Sequence, residues 1–457
     1  MKAAGGVLVL CLSYFLFSGV PLRAGEPAFS VTAYTNNTGL IRQVQTATLK
    51  QGVSEFKLPG VPALIEPASV QVRSLTSPEA LSLLEQRFAY DLGDTGRLLH
   101  RYLGRNIQVT LQEGEVQAGT LLQESAGDLV LELADRSLRV VKSRAIAGFL
   151  LPGLPDGLSK TPALTWLLQC DRPGEHELEA LYLTGGLQWS AHYVARLNPA
   201  EDRLRILGWA SIDNQSGADY PQARLSLVAG DVRRESPPPV YRPMEAERDV
   251  AMMAKAGPGF AESPVFEYHL YRLDRRTTLA DRETTQIPLF DPLEVKVQKS
   301  FSYDGQRDQE KVRAILVFQN QKTAGLGIPL PGGKVQIYKL GKDNSQLFVG
   351  EDEVAHVPEG EEVKLSVGYA FDIVGERTVI ETRQMGKRSR QETVEVQLRN
   401  RKDTAITVTV IEHPTGSWEF VGATPPIKKK QANQVEFELK VPPGSEEKFQ
   451  VTVLYNW

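Results

Sequence analysis

The chain has 457 residues, with 52 basic and 56 acidic side chains, a net charge of −4 and two cysteines. That length calls for roughly two to four domains, and two cysteines exclude a disulfide framework. The near-balanced charge excludes a general polyanion binder, because nucleic-acid affinity rests on many phosphates neutralised by a basic surface.

The N-terminus reads as an export signal. Lys2 is followed by an apolar run from Val7 to Val20, a helix-ending Pro21, and Arg23, Ala24 and Gly25. A charged start, a short apolar centre and a small residue before the cut define residues 1–24 as a signal peptide cleaved after Ala24; an uncleaved anchor is the alternative. Cys11 leaves with the leader, so Cys170 stands alone in the mature chain, as suits a bacterial envelope protein. No second apolar run is long enough to cross a membrane, so no transmembrane span is expected after cleavage. A periplasmic or otherwise extracytoplasmic location follows. Asn36 and Asn214 stand in glycosylation sequons, which matter only in a eukaryotic secretory pathway.

Residues 25–103 predict an N-terminal β domain. Alternating segments from Ser30 to Tyr34, Leu40 to Leu49 and Val70 to Leu75 are separated by Asn, Gly and Pro turns. Leu81, Leu84 and Phe88, then Leu98, Leu99 and Tyr102, fall at helical spacing and predict one or two short helices. Residues 104–151 carry several short alternating strands, which suit a small SH3/Sm-like β-barrel. Its strands carry no aromatic stacking surface, so a spacer is expected rather than a ligand site.

Proline and glycine from Pro152 to Pro162 mark a break, after which 152–232 and 265–390 are expected to form a central β domain. The strongest pattern of the chain lies here. Trp189, Ala191, Tyr193, Ala195 and Leu197 alternate, as do Leu204, Ile206, Gly208, Ala210 and Ile212, with Arg196, Arg203 and Arg205 on the opposite face. Period-two patterning of this kind makes a hairpin with one face in the core. Residues 233–264 interrupt the domain with clustered prolines and Met244, Met252 and Met253, and predict a flexible insertion. The minority alternative is a short helix from Glu245 to Lys255 that docks on a partner. Residues 391–457 suit an immunoglobulin-like sandwich, which completes a mainly-β, multi-domain antiparallel sandwich architecture.

Chemistry-bearing motifs are scarce, and no catalytic, cofactor-binding or metal-ligating residue is nominated. His176 to Ala180 lacks the second histidine of a zinc-protease helix, and Gly327 to Lys334 lacks the lysine and hydroxyl placement of a phosphate loop. Glu351, Asp352, Glu353, His356, Glu359, Glu361 and Glu362 form an acidic stretch without EF-hand spacing. Cys170 reads as a small buried hydrophobe with no evident basic partner. Two basic runs, Arg383/Lys387/Arg388/Arg390 and Lys428 to Lys430, read as solvated turns that could also meet anionic headgroups or polysaccharide. Phe449, Val451, Val453, Tyr455 and Trp457 alternate as a sandwich core strand.

The blocks TGGLQWSAHYVARL, GWASIDNQSGADYPQARLSLVAGDV, LPGGKVQIYKL, FVGEDEVAHVPEGEEVKLSVGYAFDIVGERT and VEVQLRNRKD resemble the bacterial domain-of-unknown-function 4139 family, exported proteins related to mucoidy inhibitor A. The resemblance runs from about Phe29 to Trp457. It implies a β-rich exported protein and brings no catalytic residues to transfer. Relatives classed with the mucoidy inhibitor carry a long N-terminal coiled coil, whereas this chain has no such heptads.

The expected role is therefore a non-catalytic β scaffold that binds another envelope protein or an anionic envelope polymer, with no cofactor and no nucleic acid. Two alternatives are kept. One is an envelope glycan hydrolase or lyase drawing acid and base from Asp213, Asp219, Glu351 or His356, and the other is a calcium-stabilised adhesin.

Overall fold

A computed structural model describes residues 27–90, 95–153, 162–230, 232–233, 260–265, 267–343, 345–424, 426–431 and 433–457. The leader and the stretch from Glu245 to Lys255 lie outside the described residues. Strand accounts for 66 % and helix for 5 %, so the mainly-β expectation holds.

The strand Leu187–Leu197 is central to a 13-stranded sheet. Along one edge it pairs antiparallel with Arg203–Asn214 from Leu187↔Asn214 to Leu197↔Leu204. Its other edge is shared, with Tyr34 meeting Gln188 and Gly333–Leu340 running parallel beside residues 191–197. Trp189, Ala191, Tyr193, Ala195 and Leu197 are all buried, whereas Arg196, Arg203 and Arg205 are exposed, as the alternation requires.

The N-terminal strands do not form a separate domain. Ala28–Tyr34 lies parallel to Tyr220–Ala229 and antiparallel to Thr38–Leu49, and Thr38–Leu49 pairs along its whole length with Gly174–Gly185. Each of these strands buries alternate residues, such as Phe29, Val31 and Ala33, in the same core as Trp189 and Tyr193. A second, three-stranded sheet places Ala163–Cys170 between Gly52–Pro59 and Leu81–Ala89. Its Leu164, Trp166 and Leu168 face that core as well. The helical spacing of Leu81, Leu84 and Phe88 is thus overridden: these residues form an edge strand, and Leu84 is left exposed. Pairing with a strand that arrives later in the chain outweighs local periodicity. The second helical expectation holds as the single turn-and-a-half Thr95–His100.

Residues 104–151, together with the helix Thr95–His100 and Tyr102 ahead of them, form a compact unit with its own core of Leu99, Tyr102, Ile107, Val109, Leu121, Leu129, Leu131 and Val141. The sheet order is Ile146–Leu150, Asn106–Leu111, Val116–Ser125, Asp128–Glu132, Leu138–Val141. The two end strands are not paired with each other, so the expected barrel is an open five-stranded sheet. The unit leaves the chain after Leu81–Ala89 and returns at Ala163–Cys170, and Ala89 and Ala163 are themselves paired.

The C-terminal sheet has nine strands and reaches well upstream of residue 391. Its order is Ser417–Thr424, Glu446–Asn456, Ser389–Asn400, Glu362–Gly386, Lys311–Gln319, Gln298–Tyr303, Ile406–Glu412, Val435–Val441, Ile427–Lys430. It folds over a core in which Val396 and Val451 oppose Val408 and Phe437. The boundary expected at 390/391 therefore falls inside one sheet. The 25-residue strand Glu362–Gly386 explains why. Its first part pairs with Lys311–Gln319 and puts Val363 and Leu365 in the large core, while its second part pairs with Ser389–Asn400 and puts Ile373 in the sandwich core.

The insertion also ends earlier than expected. Phe260–Val265 is an edge strand paired with Tyr268–Leu279, and Phe260 is fully buried. Pro264 is tolerated there because an edge strand has one side without ladder partners.

Candidate functional site

Two neighbouring clefts form where the loop from Leu326 to Gly332 crosses the large sheet. The loop is held by one antiparallel bridge, in which Leu330 and Val357 exchange backbone hydrogen bonds at 2.9 Å, and otherwise by side chains. Fully buried Asn320 donates through Nδ2 to the carbonyls of Ile328 and Pro358, both at 2.8 Å, and accepts through Oδ1 from the amides of Gly327 at 3.1 Å and Ile328 at 3.3 Å. The Tyr193 hydroxyl donates to the Pro331 carbonyl at 2.7 Å and that of Tyr271 to the Pro329 carbonyl at 3.2 Å. Proline offers an acceptor and no donor, so phenolic donors suit it. Burial pushes both phenols well up, helped at Tyr271 by the charge of Glu262, which keeps them protonated donors. Gly327 sits at φ +70°, and a Cβ there would lie 2.5 Å from the Lys322 nitrogen, so the turn requires glycine.

Tyr271, Pro329 and Pro331 line both clefts. One side is an apolar cavity of about 290 Å³ lined by Phe260, Leu289, Phe290, Leu293, Leu326 and Ile328, with Glu262 as its inner carboxylate. The other is a cleft of about 230 Å³ that contains His269, His356 and Glu267. Glu262 Oε1 and His269 Nδ1 are 2.7 Å apart and link the two. The Glu262 side chain is 7 % exposed against 40 % for His269, so the carboxylate belongs to the interior and the imidazole to the surface. The Gly332 amide donates to His356 Nδ1 at 3.0 Å, which assigns the proton of the neutral ring to Nε2.

A separate groove of about 960 Å³ lies on the outer face of one leaf of the C-terminal sandwich. Alternation builds it: Phe301, Val408, Val410 and Phe437 face the core, while Ser300, Thr407, Thr409, Glu436 and Glu438 face outward. Lys299, Lys364, Lys402 and Lys428 also line it. Its charges are engaged by neighbours, with Lys428 on Glu438 at 3.1 Å, Lys364 on Glu362 at 3.3 Å and Lys402 on Asp372 at 3.5 Å.

The residues weighed from sequence are distributed as follows. Asp213 accepts from the Gln215 side chain, Asp219 from the Asp281 amide, and Glu351 pairs with Lys334 at 2.9 Å. Of these and His356, only His356 lines one of the clefts described. The acidic stretch does not converge: Asp352 accepts from the amides of Glu353 and Ser366, and Glu359 pairs with Lys322. Among the described residues no group of three or more His, Cys, Asp or Glu is placed to hold a metal ion. The run Arg383/Lys387/Arg388/Arg390 surrounds the hairpin turn that joins Glu362–Gly386 to Ser389–Asn400, and Lys428 to Lys430 lie on the edge strand Ile427–Lys430.

Cys170 is fully buried, as expected, yet it does have a basic neighbour that sequence reasoning missed. His176 Nε2 lies 3.7 Å from its Sγ, brought there by the turn between Ala163–Cys170 and Gly174–Gly185. That nitrogen is 2.7 Å from the Arg172 carbonyl, and Nδ1 is 2.9 Å from Ser74 Oγ. With its Nε2 proton directed at a carbonyl, the ring cannot take the thiol proton, and the cluster pins a corner between the two sheets. Asn214, read as a sequon, is 1 % exposed, and its Nδ2 donates to the carbonyls of Ala218 and Leu279. It is a structural asparagine.

Largely antiparallel sheets with a few parallel pairs, binding-sized clefts and, among the described residues, little convergent acid–base chemistry define a strand-built, multi-sheet protein. The chain belongs to the family described as domain of unknown function (DUF4139), whose model matches residues 178–457. The matched region begins inside the strand Gly174–Gly185, so the N-terminal strands of the same sheet lie ahead of it. No curated protein matches the chain. Among the described residues no helix is long and apolar enough to cross a membrane.

Proposed function

We propose that this is an exported bacterial envelope protein, delivered by the leader at residues 1–24, that acts as a non-catalytic β scaffold and seats an extended anionic envelope polymer. The observation that carries the reading is the groove on the C-terminal sandwich. Its floor sets serine and threonine hydroxyls beside Ile315, Val317 and Ile411, and four lysines stand around it with Glu362, Glu436 and Glu438 between them, each lysine in an ion pair at the rim that an anionic chain would have to share. Such a surface offers many weak, adjustable contacts to a repeating polar ligand.

The test uses polygalacturonate as the anionic probe and dextran as the neutral one, measured by calorimetry on the full mature chain. Binding of the anionic polymer alone, weakening with salt and falling about tenfold in K364E/K428E, is expected. Equal affinity for both polymers, or none for either, would sink the reading. Glycan hydrolysis has less support, because Asp213, Asp219 and Glu351 each hold a separate structural partner and only His356 lines a cleft.

A further inference from the structure

We infer that the apolar cavity beside Glu262 is a binding site for a small primary amine carrying an aromatic or branched aliphatic body. This site is independent of the polymer groove. Its walls are the side chains of Phe260, Leu289, Phe290, Leu293, Leu326 and Ile328, and its volume of about 290 Å³ suits a single-ring ligand. Into this apolar space the fold places a carboxylate whose side chain is 7 % exposed. His269 Nδ1 occupies Oε1 at 2.7 Å, and among the described residues Oε2 has no partner. Oε2 is not sealed from solvent; it opens onto the cavity, and in these apolar surroundings an ammonium is the donor that pairs with it best.

Charge complementarity points the same way. Asp291 is a second carboxylate at the cavity, and Lys322, the one cation lining it among the described residues, is paired with Glu359 at 3.6 Å. The lining is therefore net negative. Phe260, Phe290 and Tyr271 also line it, and aromatic side chains are favourable neighbours for a cation. The site is also preformed, since the wall from Leu326 to Pro331 is held by Asn320, Tyr193 and Tyr271 whether or not a ligand is present.

The experiment compares 2-phenylethylamine, 2-phenylethanol and phenylacetate on the full chain by calorimetry. The three share a body and differ in charge. The amine is expected to bind saturably and at least about tenfold more tightly than the alcohol, with phenylacetate weakest. E262Q keeps the side-chain size and an acceptor for His269, and is expected to lower amine affinity about tenfold while leaving the alcohol within about twofold. Equal binding of amine and alcohol, an unchanged preference in E262Q, or no saturable binding of the amine each overturn the inference. The amine-to-alcohol comparison on the parent chain decides the matter even if E262Q folds poorly.

Discussion

Three buried asparagines do work that their sequence context hides. Asn214, Asn320 and Asn400 are each at most 1 % exposed, and each directs Nδ2 at two or more backbone carbonyls while Oδ1 accepts backbone amides. A planar amide can satisfy a strand end and a crossing loop at once, because it offers two donors and two acceptor lone pairs. Asn320→Ala is expected to destabilise the chain by about 2–4 kcal/mol, through several buried carbonyls and amides left without partners. Urea unfolding measures this, and a change below about 1 kcal/mol would show that the loop from Leu326 to Gly332 does not depend on it. Asn320→Asp should be as severe, since a carboxylate cannot donate to the Ile328 and Pro358 carbonyls. None of this was legible in sequence. Asn214 looked like a sequon and nothing in the sequence singled out Asn320 or Asn400, because loops remote in sequence supply partners that bury them.

At the scale of elements, the strands were legible where one face is buried and one is solvated. The alternation from Trp189 to Leu197 and from Leu204 to Ile212 named both the strands and their core faces. It failed at Leu81–Ala89, an edge strand whose exposed leucines obey no period-two rule. Phe260–Val265 was hidden by its position at the end of a proline-rich stretch. The five-stranded unit was legible as compact, but the hairpin that contains it was not, because Leu81–Ala89 and Ala163–Cys170 are too far apart in sequence to read as partners. That nesting makes a prediction: replacing residues 91–161 by a short Asn-Gly turn leaves the rest of the fold intact, because Ala89 and Ala163 already face each other across a hairpin. The Trp166 fluorescence and the melting transition of the shortened chain should match the parent; collapse to an unfolded spectrum would refute the insertion topology. A chain that begins at residue 178, by contrast, should not fold. It lacks Ala28–Tyr34 and Thr38–Leu49, and leaves Leu178, Ala180 and Tyr182 without their core.

At the scale of the whole molecule, the two large sheets are tied by Lys311–Gln319 and Glu362–Gly386, which put side chains into both cores, and by Glu201. This residue sits in the turn between Leu187–Leu197 and Arg203–Asn214 and pairs with both Lys339 of the 13-stranded sheet and Lys299 of the nine-stranded one. Burial tends to raise its pKa, but the two lysines outweigh this and hold it below the ordinary carboxylate value. Glu179, between Arg42 and Arg73, behaves alike. A carboxylate whose folded pKa is depressed contributes stability that is fully present above its unfolded value, near 4.5 for these two, and lost as pH falls through the folded one. E201Q should therefore lower the melting temperature most near neutral pH, and the gap from the parent should narrow as the pH falls below about 4.5 and through the depressed folded pKa. A gap that does not change with pH would show that the lysine pairs contribute nothing to holding the sheets together.

The domain boundaries were the least legible level, since strands 100 to 200 residues apart in sequence share one sheet, as Ser30 and Arg224 do. That parallel neighbour has a temporal consequence. A chain emerging from a ribosome or a translocation pore presents Ala28–Tyr34 early, yet the edge it must seal against does not exist until the segment around Arg224 has followed. Until then its Phe29 and Val31 remain open to wrong company, so the nascent polypeptide needs either rapid synthesis or a holdase to arrive at its sheet unaggregated.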